Sequence, residues 1–541
     1  MFSRQVSGKF HVMKKIGIFF LVIFLFVVVG WLGLTFVFSN SVESWIDQGL
    51  AKANQEMTNF EISKTSFKKG FFSSETTTAV TGAIISDAID QEEGVEMRHQ
   101  IFHGPVAMTP YGMKFCQSYV KTNLDRTNWK SETVELAQKV FGDKEPVTIL
   151  TERSYSGAES IEAKVESFSI DDDEMKMDFG GALFTAKGKS SAGSAKGYLK
   201  VSSLSFTSKG EEAATGSLGE STGQFDFQKG AHFTGDMNLG AFDVTFPDEG
   251  GTAKVALDSG TVSVNMAGGG PDKKLMLGDM TVTFPSAKVA AHDFAMDMSN
   301  FMIDVDSAEN AGKLEGSATY SIGSLESPQL AVLTGGADLS IAFPMSVSVR
   351  YGGMSTEATV KLGEDMENLE AAQATSKPGE QLDIDPALLD SMVNNLFDAL
   401  APGTTLGMAV GLGGSDPEAN VFADLAIDLK GAKKLPEMKT VREVVNALEL
   451  KLDLNTSKAA FEHPMLSPML AQMQMMGIGK RTGGGAISAT AQLVKGKLNV
   501  DGKPFPLPIM QMIDPQLDQP IMWDPILEMI KAGIQSNAAG Q

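Results

Sequence analysis

From Phe60 to about Ser376 apolar and polar residues alternate in steps of two. Lys164-Val165-Glu166-Ser167-Phe168-Ser169-Ile170, Thr261-Val262-Ser263-Val264 and Met302-Ile303-Asp304-Val305-Asp306 are examples. A side-chain period of two belongs to strands with one buried face. Gly- and Asp-rich turns separate the runs, at Asp248-Glu249-Gly250-Gly251, Gly268-Gly269-Gly270-Pro271-Asp272 and Gly335-Gly336. Their spacing suits an antiparallel meander. Leu239 to Pro247 is echoed by Leu277 to Pro285, 38 residues on, and Leu339 to Pro344 again closes on Phe-Pro. The echo has two readings, a duplicated hairpin unit or strands that merely end alike.

One run suits no sheet. Ile16 to Phe38 is 23 residues without a charge, long enough at about 1.5 Å per residue to span a bilayer core of about 30 Å. Arg4, Lys9, Lys14 and Lys15 precede it, and Glu43 and Asp47 follow. The positive-inside bias then sets residues 1–15 in the cytoplasm. The run is too long for a signal peptide, and Ser39-Asn40-Ser41 makes a poor cleavage site. A single transmembrane helix over 16–38 is therefore expected. Residues 39–60 read as a helical stalk, with Val42, Trp45, Ile46, Ala53 and Met57 near helical spacing.

The exported remainder divides into a β-rich region, 61–376, and an α+β region, 377–541. Asp365 to Glu380 reads as a polar linker. Pro386 to Leu400 reads as a helix with Asp385 as its cap and Pro386 at its first position. Further helices are expected over Thr440–Leu448 and Pro468–Met476, the latter capped by Ser467, and from Asp524-Pro525. Ala486–Val494 and Lys497–Val500 read as strands joined by a turn at Lys495-Gly496. The fold class is mainly β with flanking helices, on a large antiparallel sheet or open β-groove.

Charge narrows the partners. Lys and Arg number 45 against 67 Asp and Glu, a net charge of −22, which becomes −26 without residues 1–38. Such a surface repels phosphate backbones, so nucleic acid is not an expected partner. Cys116 is the lone cysteine. It excludes an internal disulfide framework and a Cys-rich zinc site, and leaves only a link to a second chain or a small thiol.

Each cluster with chemical potential reads as structural. His99 and His103 stand four apart, but on extended chain that is about 13 Å, too far to share a metal. The run Asp171-Asp172-Asp173-Glu174 lacks the alternating ligands and central Gly of a calcium loop and suits a solvated hairpin tip. Met465, Met469, Met473, Met475 and Met476 offer thioethers for Cu(I), yet Met469, Met473 and Met476 form a helical stripe of the kind that fills cores or adaptable surfaces. Gly411-Leu412-Gly413-Gly414 and Gly483-Gly484-Gly485 match neither a phosphate loop nor a dinucleotide fingerprint. His11, His232, His292 and His463 show no motif spacing. Neither a Gly-x-Ser-x-Gly elbow nor a His-Glu-x-x-His helix occurs. No catalytic, cofactor-binding or metal-binding residue is assigned, and an enzyme is the less favoured class.

Phe67-Lys68-Lys69-Gly70-Phe71-Phe72-Ser73-Ser74, His103-Gly104-Pro105 and the closing stretch Leu493 to Leu507, with Lys497-Leu498-Asn499-Val500-Asp501-Gly502-Lys503-Pro504, follow one N-terminal anchor in this order. Together they resemble the YdgA-like family, a bacterial envelope family of unknown function. The tail beyond Leu507 departs from that family's ending. The resemblance implies an inner-membrane anchor, a periplasmic β-rich body and self-association, and no catalytic residues. The leading reading is a membrane-anchored, non-enzymatic periplasmic protein, an envelope scaffold or a groove for an apolar ligand such as lipid. The alternatives are a homo-oligomeric or partner-binding module and an acid-dependent hydrolase.

Overall fold

A computed structural model of the chain describes residues 47, 50, 51, 54, 61–68, 73–81, 95–103, 107–127, 129, 131–189, 193–210, 213–228, 232–248, 251–270, 273–292, 294–329, 342–374, 384–414, 420–431, 433–463, 466–475, 478–481, 486–504 and 517–539. The expected cytoplasmic tail and transmembrane helix lie outside the described residues. Among those described, no helix is long and apolar enough to cross a membrane. Of the expected stalk, residues 47, 50, 51 and 54 are described, all helical. Leu50 is buried in the main core. Asn54 donates to the Ile62 carbonyl at 2.8 Å and accepts from its N–H at 2.7 Å. The chain forms two compact units, Met1–Val262 and Ser263–Gln541.

The first unit has two antiparallel limbs joined along a crease. One limb runs through Glu61–Lys68, Ser73–Thr81, Val95–His103, Ser118–Leu124, Val147–Arg153 and Ala158–Val165. It continues through Ala182–Lys189, Ser194–Val201, Ser221–Gln228 and His232–Leu239. The other runs through Phe168–Asp171, Met175–Phe179, Leu204–Ser208, Thr215–Leu218, Phe242–Asp248 and Gly251–Leu257. The chain lays a hairpin on one limb, crosses in two residues, and lays the next on the other. The crossings bond to one another: the Gly180 N–H donates to Ser203 O, Ser202 N–H to Gly181 O and Gly219 N–H to Ala241 O. Successive hairpins on one limb begin at Ala182 and Ser221, 39 residues apart, and on the other at Leu204 and Phe242, 38 apart. This spacing equals that of the echo, but only its first copy, Leu239 to Pro247, spans a crossing; Leu277 to Pro285 lies inside the single strand Leu275–Ala291.

Glycine lets the crossings stack. A Cβ on Gly240 would lie 2.2 Å from the Gly219 carbonyl carbon and oxygen. Backbone cannot rotate away as a side chain can. Gly240→Ala is expected to lower the stability of the first unit by about 1–3 kcal/mol, measured as the urea midpoint. An unchanged midpoint would mean that the crossings do not stack this closely.

In the second unit Leu275–Ala291, Phe294–Asn310, Lys313–Ile322, Met345–Ser355, Thr405–Leu412, Val421–Leu429, Leu448–Thr456 and Ile487–Val494 pair antiparallel in succession. Lys497–Val500 extends the ladder. The turn between the last two has Lys495 at φ 51° and Gly496 at φ 71°, the left-handed pair that a tight hairpin needs. Helix Pro386–Ala399 begins as expected, with the Asp385 carboxylate accepting from Ala387 N–H. Thr440 caps Val441–Ala447. Ser467–Met475 and Trp523–Ala539 are also helical.

Two helices correct the sequence reading. Asp365 to Ala374 is not linker but part of helix Thr356–Ala374. Its Glu, Ala, Leu, Met and Lys residues are strong helix formers, and a polar helix shows neither strand alternation nor an apolar stripe. Asp365 ties it to the next helix by accepting from Ser391 and Asn395. Ser131–Phe141 is likewise a helix inside the region read as strands.

Candidate functional site

Directly paired residues of an antiparallel ladder share a face. In the second unit Ala318 pairs with Val349, Val349 with Met408, Met408 with Leu425, Leu425 with Leu452 and Leu452 with Ala491. The row starts two strands earlier, at Met280 and Val305. The flanking rows are equally apolar: Val347, Val410, Ala423 and Leu454 on one side, Tyr351, Leu406, Ile427 and Leu450 on the other. The reverse face is a polar ladder. Thr281 donates to Asp304 at 2.7 Å, Thr490 to Asp453 at 2.8 Å, and Arg350 pairs with Asp424.

Burial inverts the usual order. Val349 is 48 % exposed, Met408 46 % and Leu452 42 %, while Ala409 on the polar face is 6 % exposed. Eight strands at about 4.8 Å spacing give the apolar rows a span of roughly 34 Å.

The first unit shows a related surface. At the first crossing, Ile161, Ala163 and Val165 on one limb and Met175, Met177 and Phe179 on the other are buried in one core. Two repeats on, the same inward positions are open: Phe227 is 42 % exposed, Phe242 36 % and Phe246 41 %. Phe184 and Phe225 stack at 5.7 Å between these ends. The apolar lining is thus closed at one end and open at the other.

Two ionisable groups interrupt that lining. His99 lies buried between Thr78, 2.8 Å from Nε2, and Thr122, 2.8 Å from Nδ1. Burial lowers its pKa to about 4. Glu159 is buried beside Arg153, whose Nε lies 3.4 Å from Oε1, and neither carboxylate oxygen accepts a hydrogen bond. Burial pushes its pKa up to about 7, against the pull of Arg153. Ala163 belongs to the row of His99 through Thr122 and Ile149. Glu159 stands four residues from Ala163, about 13 Å along the strand. The two therefore form no acid–base dyad.

Sequence reasoning passed over Glu159, although parity marks it. Positions 159, 161, 163 and 165 alternate on one face, and the last three are Ile, Ala and Val.

The residues singled out by sequence fall apart in space. His99 and His103 share the extended strand Val95–His103. Asp171 ends a strand, and Asp172 accepts from the N–H groups of Glu174 and Met175 in a hairpin turn. Met469 and Met475 are exposed, and Leu470 is the buried residue of their helix; Met465 and Met476 lie outside the described residues. Gly413 and Gly414 take positive φ in the turn after strand Thr405–Leu412. Cys116 is fully buried and burial raises its thiol pKa, which disfavours the link to a second chain or a small thiol that the sequence left open. Among the described residues no group of three His, Cys, Asp or Glu could hold a metal ion.

A model of a bacterial protein family of unknown function, DUF945, matches residues 13–508. No curated protein and no solved structure gives a significant match. The resemblance to an uncharacterised bacterial family is borne out, and the match ends one residue beyond Leu507, where the departure from the family was expected.

Proposed function

We propose that this chain, which belongs to the bacterial DUF945 family of unknown function, is a non-enzymatic, membrane-tethered protein that holds acyl chains on its apolar sheet faces. The observation that carries this reading is the exposed row Val349, Met408, Leu425 and Leu452. An apolar face of this extent marks an interaction site, because leaving it wet is unfavourable. A long, mainly apolar strip suits a flexible hydrocarbon chain better than a compact polar substrate. Met408 adds an adaptable contact. The apolar run 16–38 supports the tether, and the basic residues before it support an inner-membrane, N-terminus-inside orientation with the body in the periplasm.

Photo-crosslinking in cells tests the ligand. A light-activated side chain in place of Leu425 is expected to capture lipid, identified by mass spectrometry. The same probe at Asp424, on the reverse face, is expected to capture none. Capture of no lipid at Leu425, or capture of a second copy of the chain there, defeats the lipid reading, and the second outcome favours the oligomeric module.

A further inference from the structure

We propose a second membrane contact, an apolar finger that dips into the bilayer interface. It is the hairpin of strands Ala107–Thr109 and Gly112–Lys114. Tyr111 lies in its turn, Met113 in its second strand and Phe115 directly after that strand. They are 55 %, 66 % and 76 % exposed. Their support is rigid: Ala107 and Cys116 are fully buried and form a small core with Tyr119. The Tyr111 ring meets the Tyr119 ring edge-on at 6.5 Å. Three large apolar side chains on a braced hairpin lose little freedom on insertion, so most of their burial energy becomes binding.

Charge and chain length select a bilayer as the occupant. Lys121 stands 5.9 Å from the Tyr111 ring, a cation beside the finger on a strongly acidic protein, while Lys114, 5.9 Å from the Tyr119 ring, is paired with Glu152 at 3.3 Å. Aromatic residues with nearby Lys are the composition of membrane interfaces. The apolar run ends at Phe38, and Leu50 already sits in the core of the first unit. Twelve residues reach at most about 42 Å, so a run embedded in the bilayer keeps the first unit close to its surface. The inference rests on the tethered reading above.

The full chain, reconstituted in vesicles of phosphatidylethanolamine and phosphatidylglycerol, carries a photo-crosslinking phenylalanine analogue at one position. Phe115 is the test site, and Tyr155, an exposed aromatic in another turn of the same unit, is the control. Roughly tenfold more phospholipid adduct is expected at 115 than at 155, since an interfacial anchor sits about 5–10 Å into the headgroup boundary. Equal yields, or adducts mainly to protein at 115, overturn the finger. Lipid capture by a Leu425 probe in the same vesicles keeps the acyl-chain reading whatever Phe115 does. Failure of the chain to float with the vesicles defeats the tether and the finger together.

Discussion

Glu159→Gln is expected to make the first unit lose about 3 kcal/mol of stability as the pH falls from 6.5 to 4, a loss that the unaltered chain largely hides. His99 causes it. Its folded pKa, about 4, lies below the ordinary 6.5. Below pH 6.5 the unfolded chain takes up a proton that the folded chain refuses, so stability is lost until the folded pKa is passed. Glu159 works in the opposite direction. Its folded pKa, about 7, lies above the ordinary 4.5. The folded chain keeps a proton that the unfolded chain releases, so stability is lost as the pH rises from 4.5 to 7. Between pH 4.5 and 6.5 the two slopes oppose, and the pair leaves stability nearly level. His99→Gln should show the other slope alone, again about 3 kcal/mol, lost as the pH rises from 4.5 to 7. Urea midpoints across pH 4–7, followed by hydrogen exchange in Val95–His103 and Ala158–Val165, read both. A Glu159→Gln profile parallel to that of the unaltered chain would refute this assignment.

Leu425→Asp is expected to reduce copurifying lipid by about tenfold or more while moving the melting temperature little. A carboxylate placed beneath a hydrocarbon chain must be desolvated or protonated, which costs several kcal/mol. Inside an ordinary core that substitution would unfold the protein. Here Leu425 is 37 % exposed, so without ligand the new carboxylate stays in water. The two measurements separate cleanly. A collapsed melting temperature would show the apolar face to be covered within the folded chain. Unchanged lipid with unchanged stability would remove the face from the binding surface.

The β-rich character of 61–376 was legible because period-two alternation is a local signal, whereas strands Thr405–Leu412, Val421–Leu429 and Leu448–Thr456, in the region read as α+β, were not read. The Asp385 cap and the Lys495-Gly496 turn were legible for the same reason, since each needs only its neighbours. What one sequence could not supply was the partner of each strand. Val349 and Met408 are 59 positions apart, and only their register reveals a continuous apolar row. Nor does alternation say whether a face is covered, since Val165 in the core and Val349 on the open sheet obey the same rule. The helix Thr356–Ala374 was missed because a polar helix leaves no apolar stripe. Glu159 was missed because motif spacing was sought, whereas its meaning lies in being the charged residue on an inward parity.

Stacked two-residue crossings make the molecule extensible in one direction. Each repeat adds one hairpin to each limb, which lengthens the apolar lining by two strand spacings, about 9.5 Å. A repeat also presents to the next the same edge that it received. Whole repeats can therefore be gained or lost without recutting the packing elsewhere. Such a chain is graduated like a ruler, and its apolar reach changes in fixed steps, by duplication or deletion, whereas a fitted cavity would have to be reshaped residue by residue.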